Sequence, residues 1–206
     1  MKFLCVWSLA LALAACGTAE VKYLAQAQPI WSDQPYLHKP SGLVFPTNVG
    51  DFGRVLVLQY DEGGLDVSGG YDFRAAADGI AAAIHLYPAA QTAADTRDNL
   101  CRQDFARREQ ELRRAHPDAH KTAERDLPHS QVDQFNLGIM ASFAYDQLFF
   151  GATPGPVRSD LYLFCDVGGK WQFEYRFTAP RDFDAAARAA DFMAKLPPAL
   201  PLRDRR

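Results

Sequence analysis

The chain has 206 residues, which suits one domain or at most two small ones, and 48% of them are hydrophobic, enough to build a core. It carries 25 acidic and 22 basic residues, for a formal net charge of −3 at pH 7. This balance excludes the strongly basic class of nucleic-acid-binding proteins, so we expect no nucleic acid partner.

The first residues, MKFLCVWSLALALAAC, have the features of an export signal. Lys2 opens the segment, and no charged residue follows from Phe3 to Ala15. This apolar run is too short to cross a bilayer core of about 30 Å, which takes about 20 residues. A positive start, an apolar middle and small residues at the end are typical of a secretory signal. The sequence therefore predicts a signal peptide over residues 1–15, and a buried N-terminal core helix is the alternative.

The end of this leader, Leu13-Ala14-Ala15-Cys16, resembles the lipobox of bacterial lipoproteins. The resemblance implies diacylglycerol on the Cys16 sulfur, cleavage before Cys16 and acylation of the new N-terminus, for example with palmitate. Two or more acyl chains make such anchoring durable. Gly17 is similar to the residue found at that position in lipoproteins sent to an outer membrane. We expect a lipid-anchored envelope protein that faces the periplasm, with the outer membrane favoured.

A second cleavage pattern leaves an alternative open. Ala12-Leu13-Ala14 also fits the A-x-A site of ordinary signal peptides, which would release a soluble periplasmic or secreted protein. After either cleavage, residues 16–40 are predicted to be a tether, because they contain Pro29, Pro35 and Pro40 and show no clear periodicity. Four apolar side chains of this tether could dock onto the domain: Ile30, Trp31, Tyr36 and Leu37.

The folded domain is predicted over residues 41–196 and begins with a block of strands at 42–46, 55–60, 65–68 and 80–87. Alternation of apolar and polar residues and turn-forming glycines support these strands. Asp61, Glu62 and Asp66 surround Gly63-Gly64 and are explained by turn chemistry. A calcium site is the alternative, although the spacing differs from that of an EF-hand loop.

An amphipathic helix is predicted after this block. Asp95 or Thr96 can cap its N-terminus, Asp98 suits the helix dipole in the first turn, and Pro117 ends it. The buried stripe consists of residues at i, i+4, i+7 and i+11, namely Cys101, Phe105, Arg108 and Leu112. The arginine-rich run at 102–114 is interrupted by glutamates and is predicted to be a solvated helix face.

Two cysteines remain once Cys5 leaves with the leader and Cys16 carries lipid. Cys101 and Cys165 are a candidate disulfide, because envelope compartments are oxidising and the pair is even. Such a bond would close a loop of about 65 residues and contribute about 4 kcal/mol in the chain-entropy model. Two buried, reduced thiols are the alternative.

The segment after the helix contains a cluster of potential metal ligands: His116, His120, His129, Asp118, Asp126 and Asp133. A His-x-x-x-His pair on a helix could ligate zinc. Pro117 interrupts that spacing, so the histidines need not share a helical face. A polar loop is the favoured interpretation, and we expect no metal site.

A second block of strands is predicted at 140–150, 161–165 and 171–177. The middle strand is apolar on both faces and should be central, and Gly168-Gly169 forms the turn to the last strand. A closing helix over 182–196 carries Phe183, Ala186, Ala187, Ala190 and Met193 at helical spacing, and Pro197-Pro198 ends it. The tail at 197–206 is predicted to be disordered.

Aromatic residues alternate with polar ones on the last predicted strand. With Gln172, Glu174 and Arg176 between them, the aromatic side chains are predicted to line the core. The alternative is that they form the floor of an apolar pocket or an interface, with Trp171, Phe173 and Tyr175 as the contributing residues.

No recognisable catalytic arrangement occurs in the sequence. There is no G-x-S-x-G elbow around Ser68, and His85 is expected to face solvent or to have a satisfied partner in its strand. No Gly-rich phosphate loop with a lysine appears either. We therefore expect a protein that is not an enzyme and needs no cofactor.

The order of elements predicts an α+β fold: a largely antiparallel sheet of six or seven strands with two packed helices. The layout resembles that of PsbP-like proteins, especially DcrB-type bacterial lipoproteins. The features that carry the resemblance are the lipobox, the segment 41–46 that begins the domain, the middle helix and the Gly168-Gly169 hairpin. The resemblance is architectural, covers about residues 41–196 and implies no catalytic residues. The expected function is a non-enzymatic module that binds another envelope protein or supports envelope integrity. A binder of small apolar ligands and an enzyme of unrecognised type are the alternatives.

Overall fold

The computed structural model describes residues 23–75, 78–90, 95–127, 137–149 and 154–197. In chain order its elements are β1 (Tyr23–Ile30), β2 (Tyr36–His38), β3 (Leu43–Phe45), β4 (Asn48–Val49), β5 (Phe52–Asp61), β6 (Val67–Ala75), β7 (Asp78–Pro88), α1 (Arg97–Ala115), β8 (His120–Leu127), β9 (Leu137–Gln147), β10 (Gly155–Val167), β11 (Trp171–Pro180) and α2 (Ala186–Lys195).

Within these residues, nine strands form one antiparallel sheet. Its order is β1-β5-β6-β7-β11-β10-β9-β8, and the short strand β4 pairs with the beginning of β5. Strands β2 and β3 form a separate hairpin. The α+β class, the antiparallel sheet and the two helices are as predicted. The sheet has more strands than the six or seven expected, since β1, β4 and β8 were not predicted.

The segment predicted to be a tether belongs to the fold from Tyr23 onward. Strand β1 pairs with β5, with Ile30 opposite Val57. Ile30 and Tyr36 pack against the core, whereas Trp31 and Leu37 are exposed. The prediction of a tether is therefore wrong for residues 23–40. Strand β1 lies at the edge of the sheet and is largely exposed, so its side chains do not need the alternation that identifies a half-buried strand.

Helix α1 covers one face of the sheet with the predicted stripe. Its buried side chains are those of Cys101, Phe105, Arg108 and Leu112. Thr96 caps the N-terminus, where its Oγ1 accepts a hydrogen bond from the Asn99 amide at 3.2 Å. The helix ends at Ala115, two residues before Pro117. Beneath it lies a core built mainly by β9 and β10, which includes Ile139, Ala141, Phe143, Leu161 and Leu163.

Helix α2 and the β2–β3 hairpin cover the opposite face. Phe192 of α2 is fully buried, and its ring contacts those of Phe52, Tyr71 and Phe177. The predicted spacing is correct only in part: Phe183 and Met193 pack partly buried against the core, but the buried residues of the helix are Ala189 and Phe192. The Ala-rich sequence offers several equivalent stripes, so periodicity alone could not select the correct one.

Strand β11 lies in the middle of the sheet and is buried on both faces. Its aromatic residues point toward α2, while Gln172 and Glu174 point toward α1 and are each 4% exposed. Consecutive residues of a strand face opposite sides of the sheet, so the polar side chains lie on the face opposite the buried aromatics. Helix α1 covers this second face, and the polar residues lie beneath it.

The edge opposite β1 is formed by β8, which replaces the polar loop predicted after the helix. Its sequence, HKTAERDL, is exposed over seven of eight residues. Charged side chains on an edge strand oppose pairing with another chain, and they also hide the strand from a search for apolar alternation. Among the described residues, neither helix has the length and apolar character needed to cross a membrane.

Candidate functional site

The three aromatic residues proposed as a pocket or interface lie in the core. Trp171 is 8% exposed, and Phe173 and Tyr175 are fully buried. The Tyr175 ring contacts Phe164 and Phe192, and its hydroxyl donates to the Leu196 carbonyl oxygen. Burial raises the pKa of Tyr175 well above its ordinary value. These side chains are used in packing, as the core interpretation predicted.

The candidate disulfide is formed in the structure. Cys101 of α1 and Cys165 of β10 are bonded, with their Cα atoms 5.8 Å apart. Both side chains are buried, so the bond ties the helix to the centre of the sheet. Cys16, the candidate lipidation site, lies outside the described residues.

The cluster of histidines and aspartates is not brought together. His116 stacks on Tyr145 at 4.1 Å between ring centroids, Asp118 accepts a hydrogen bond from the Asp146 amide, and Asp126 pairs with Arg102. His129 and Asp133 lie outside the described residues. Within the described part of the chain, no three His, Cys, Asp or Glu side chains are arranged to hold a metal ion.

The acidic turn has the structural role expected of it. Asp61 accepts hydrogen bonds from the amides of Gly63 at 3.0 Å and Asp66 at 2.7 Å. The Asp66 carboxylate is 2.5 Å from Nε2 of His85, on the neighbouring strand. His85 is thus the histidine with a satisfied partner that the sequence allowed for.

The pair of Asp66 and His85 opens onto a groove between α1 and the exposed half of the sheet. We call this the α1 groove; it encloses about 440 Å³. The sheet supplies its floor and α1 one wall, because α1 covers only the β9–β11 half of this face. Its lining residues are Tyr23, Tyr60, Asp66, Ser68, Ala83, His85, Arg107, Arg108, Glu111, Glu174 and Arg176.

Arg108 is the central charged residue of the α1 groove. Its Nε lies 3.2 Å from Glu174 Oε2 and donates to the Tyr87 hydroxyl at 3.0 Å, and its Nη1 donates to Glu111 at 3.0 Å. Burial alone would lower the pKa of Arg108, but the neighbouring Tyr87 and Glu174 raise it above its ordinary value. The guanidinium is therefore held charged in a buried position.

The contact between Arg108 and Glu174 is an ion pair rather than a hydrogen bond. Glu174 Oε2 is buried without a hydrogen-bond donor, although it lies within ion-pair distance of Arg108. The other oxygen, Oε1, accepts from Arg176 at 3.2 Å. Two arginines thus neutralise one buried carboxylate, each through a different oxygen.

Tyr87 lies beneath α1 and holds two of its side chains, Asp104 and Arg108, in place. Its hydroxyl donates to Asp104 Oδ2 at 2.8 Å, and Gln172 donates to the same oxygen at 3.2 Å. The carbon at the centre of the Arg108 guanidinium lies 4.0 Å from the Tyr87 ring centroid. Burial is the main cause that raises the pKa of Tyr87 well above its ordinary value. Tyr87 is therefore a neutral hydrogen-bonding anchor.

Aromatic rings adjoin the charged residues of the groove. The rings of Tyr60 and Tyr87 lie 5.0 and 4.8 Å from that of His85, and Tyr60 shares a hydrogen bond of 3.0 Å with Ser68. The groove therefore presents paired charges next to aromatic rings. Such a surface can bind a group that combines hydrogen-bonding atoms with an apolar part.

A second, less polar pocket borders the α1 groove. It encloses about 350 Å³ and shares Ala83 and Arg176 with the groove. Its remaining lining includes Val55, Leu56 and Tyr145. The uncovered half of the sheet thus offers a polar and a more apolar compartment side by side.

Sequence reasoning missed most residues of this groove. Glu174 and Arg176 were considered only as polar residues that alternate with the core aromatics, and Tyr60 only as a strand residue. One signal was present: Arg108 occupies a position in the apolar stripe of α1, where a charged residue requires a buried partner. The identity of that partner could not be inferred, because Glu174 lies 66 positions further along the chain.

Comparison with known proteins assigns no family to the chain. No protein-family model matches the sequence, and no curated protein or solved structure matches it either. The class defined by the structure itself is an α+β domain with a disulfide-tied helix and a preformed groove beside that helix. The function must therefore be argued from these features.

Proposed function

We propose that this chain is an exported, lipid-anchored protein of the cell envelope whose domain binds a partner there and does not catalyse a reaction. The disulfide between Cys101 and Cys165 is the observation that carries the proposal. Structural disulfides persist in oxidising compartments and are rare in the cytosol. A leader that ends in Leu13-Ala14-Ala15-Cys16 supplies both the route to such a compartment and the residue for the lipid.

The binding role is supported by the α1 groove. Its charged side chains pair with one another, as Arg107 and Arg108 do with Glu111. Pairing of this kind fixes the side chains before a partner arrives, which reduces the ordering cost of association. The resemblance to DcrB-type lipoproteins points in the same direction, toward an envelope protein without catalytic residues.

The anchor is tested by mass spectrometry of the native protein from the membrane fraction. We expect an N-terminus at Cys16 that carries three acyl chains, and a bond between Cys101 and Cys165. A Cys16→Ser variant should leave the membrane fraction, whereas a Cys101→Ser variant should remain in it. A native protein that keeps Met1 and stays in the cytosol would overturn the proposal.

The binding role is tested by crosslinking in intact cells. A photo-crosslinking amino acid at Ala83, in the floor of the groove, should give a discrete product with another envelope protein. The same amino acid at Arg125, on the exposed edge strand β8, is the matched control and should give none. Equal labelling from both positions, or none from Ala83, would contradict a partner at the groove.

A second candidate function follows from the two adjoining pockets. A ligand with a polar head and an apolar body could place its head near Arg107 and Arg176 and its body against Val55 and Leu56. This differs from the apolar pocket expected near Trp171. Native mass spectrometry should then show a bound molecule that is lost in an Ala83→Trp variant, where the indole would fill the space common to both pockets. Retention of the same mass in that variant would exclude this site.

A further inference from the structure

The two edges of the large sheet differ in charge. Strand β8, at one edge, carries charged residues along most of its length. Strand β1, at the other edge, contains no charged residue, and the next residue, Trp31, is also uncharged. An uncharged, exposed edge is unusual, because edge strands generally carry charges that prevent association.

Exposed aromatic side chains stand at both ends of β1. Tyr23 is 63% exposed and Trp31 is 79% exposed, the latter being the most exposed of the large hydrophobic residues described. Tyrosine and tryptophan are enriched where proteins meet the membrane–water interface, because their rings have an apolar body and a polar atom.

The turn that presents Trp31 is held in place by Arg54. The Arg54 guanidinium donates to the carbonyl oxygens of Ser32 at 2.6 Å, Gln34 at 2.7 Å and Phe45 at 2.5 Å. These bonds tie the residues after Trp31 to the β2–β3 hairpin. The exposed indole of Trp31 therefore belongs to a segment whose backbone is held in place by hydrogen bonds.

The length of chain before β1 limits how far the domain can move from a lipid on Cys16. Seven peptide steps separate Cys16 from Tyr23, which span at most about 25 Å. The eight residues of β1 extend over a similar distance, about 25 Å. An acylated Cys16 can thus lie in the membrane surface while both ends of β1 touch that surface. With Cys16 held in the membrane surface, Tyr23 cannot be more than about 25 Å from that surface.

We propose that the β1 edge, with Tyr23 and Trp31 at its ends, rests on the membrane that holds the Cys16 lipid. The inference rests on the proposed lipid anchor and adds the orientation of the domain. The charged β8 edge then faces water. The α1 groove, which Tyr23 lines at its rim, opens close to the membrane surface.

A strand from a partner protein is the competing occupant of this edge, and the structure disfavours it. The register of β1 against β5 is irregular between Tyr23 and Gln28, so the edge is not a regular ladder. Pro29 also lacks the amide hydrogen that an added strand would need. Bulges and prolines are the features by which edge strands resist such pairing.

The test uses the full lipidated protein, purified from membranes and reconstituted into phosphatidylethanolamine–phosphatidylglycerol vesicles. Once the leader with Trp7 is removed, two tryptophans remain, the exposed Trp31 and the buried Trp171. A Trp31→Phe variant gives the contribution of Trp171. Vesicles with bromine atoms on the acyl chains near the headgroups should then reduce the Trp31 emission at least two-fold relative to ordinary vesicles.

The matched control moves the probe to the opposite edge. In the Trp31→Phe background, an Arg125→Trp variant should show no quenching by brominated lipid and full quenching by acrylamide dissolved in water. The inference is overturned if mass spectrometry shows lipid on Cys16 while Trp31 is quenched in the same way as the indole of the Arg125→Trp variant. Protection of Trp31 from acrylamide without quenching by bromine would indicate that a second copy of the chain covers this edge, and would also overturn it. A native Cys16 without lipid would refute the proposed anchor itself and this inference with it.

Discussion

Close packing at single residues is clearest where β6 passes beneath the β2–β3 hairpin. Gly69 and Gly70 are neighbours on β6 and face opposite sides of the sheet. A Cβ atom on Gly69 would lie 2.6 Å from Cδ1 of the fully buried Phe45, whereas one on Gly70 would lie 3.7 Å from Leu56, an ordinary contact. Only the first position therefore requires glycine for its size.

This difference predicts opposite outcomes for two equivalent substitutions. Gly69→Ala should lower the free energy of unfolding by about 1–3 kcal/mol, as overpacked cores do. Gly70→Ala should be neutral or raise it by about 0.5–1 kcal/mol, because glycine in a strand loses more chain entropy on folding. Urea unfolding followed by circular dichroism would measure both. Equal effects of the two changes would show that the hairpin can yield to the added methyl group.

Arg108 allows a second test at the residue scale. Its side chain and that of Glu174 are 9% and 6% exposed, whereas the pair of Arg102 and Asp126 is 51% and 55% exposed. Removal of Arg108 leaves the buried Glu174 carboxylate with Arg176 as its remaining ion-pair partner, and its Oε2 atom loses its neighbouring charge. Arg108→Met should therefore lower the free energy of unfolding by about 3 kcal/mol. Arg102→Met, on the same helix, should change it by less than about 1 kcal/mol.

A double variant separates two effects of removing Arg108: the loss of its packing on Tyr87 and the loss of a charge next to the Glu174 carboxylate. Arg108→Met combined with Glu174→Leu should recover much of the loss, because the buried carboxylate that Arg108 helps to neutralise is then absent. Urea unfolding is again the measurement. If the double variant were as unstable as the sum of the two single ones, the contribution of Arg108 would lie in its stacking on Tyr87 and not in its charge.

At the scale of elements, the β2–β3 hairpin depends on a buried histidine. His38 is fully buried, its Nδ1 lies 2.6 Å from Ser41 Oγ and its Nε2 lies 2.8 Å from the Gly64 carbonyl oxygen. Its ring also packs nearly perpendicular to that of Trp171, with 5.2 Å between the ring centroids. Burial lowers the pKa of His38 below its ordinary value of 6.5. The hairpin is thus attached to the β5–β6 turn by a neutral imidazole.

The lowered pKa of His38 predicts how stability depends on pH. The unfolded chain binds the proton at a higher pH than the folded one, so stability from His38 is complete above pH 6.5 and is lost as pH falls through the lowered pKa. Urea unfolding at pH 7, 6 and 5 should show a smaller decrease for His38→Gln than for the natural protein. His120→Gln, on the exposed strand β8, should retain the natural pH dependence. An unchanged decrease in His38→Gln would assign the effect to other groups.

Some elements could be predicted from the sequence and others could not, for physical reasons. Helix α1 was found with its buried residues because a helix on a sheet buries one stripe, and Thr96 and Pro117 mark its ends. Strands β1 and β8 were missed because edge strands need no apolar alternation. On β11, alternation predicted the buried aromatic face but gave no sign that Glu174 is buried, because the sequence does not show that α1 covers the second face.

At the scale of the whole molecule, the sheet separates two cores. One lies under α2 and the β2–β3 hairpin, and the other lies under α1. The α1 groove exists because α1 covers only half of its face and leaves the β5–β7 half open. Most of its charged residues come from α1 and β11, which are remote in sequence. Topology therefore had to be known before the groove could be recognised, whereas the cysteine pair could be identified from the sequence alone.

The bond between Cys101 and Cys165 lies within the α1 core and ties α1 to β10, across 64 positions of sequence. In the chain-entropy model, a loop of this length contributes about 4 kcal/mol, because the crosslink restricts the unfolded chain. Urea unfolding of protein reduced in denaturant and refolded with reductant should show a loss of about this size. A Cys101→Ala/Cys165→Ala variant should unfold identically with and without reductant. If reduction left the natural protein equally stable, the bond would not be needed for the fold, and the argument from the disulfide to an oxidising compartment would lose its force.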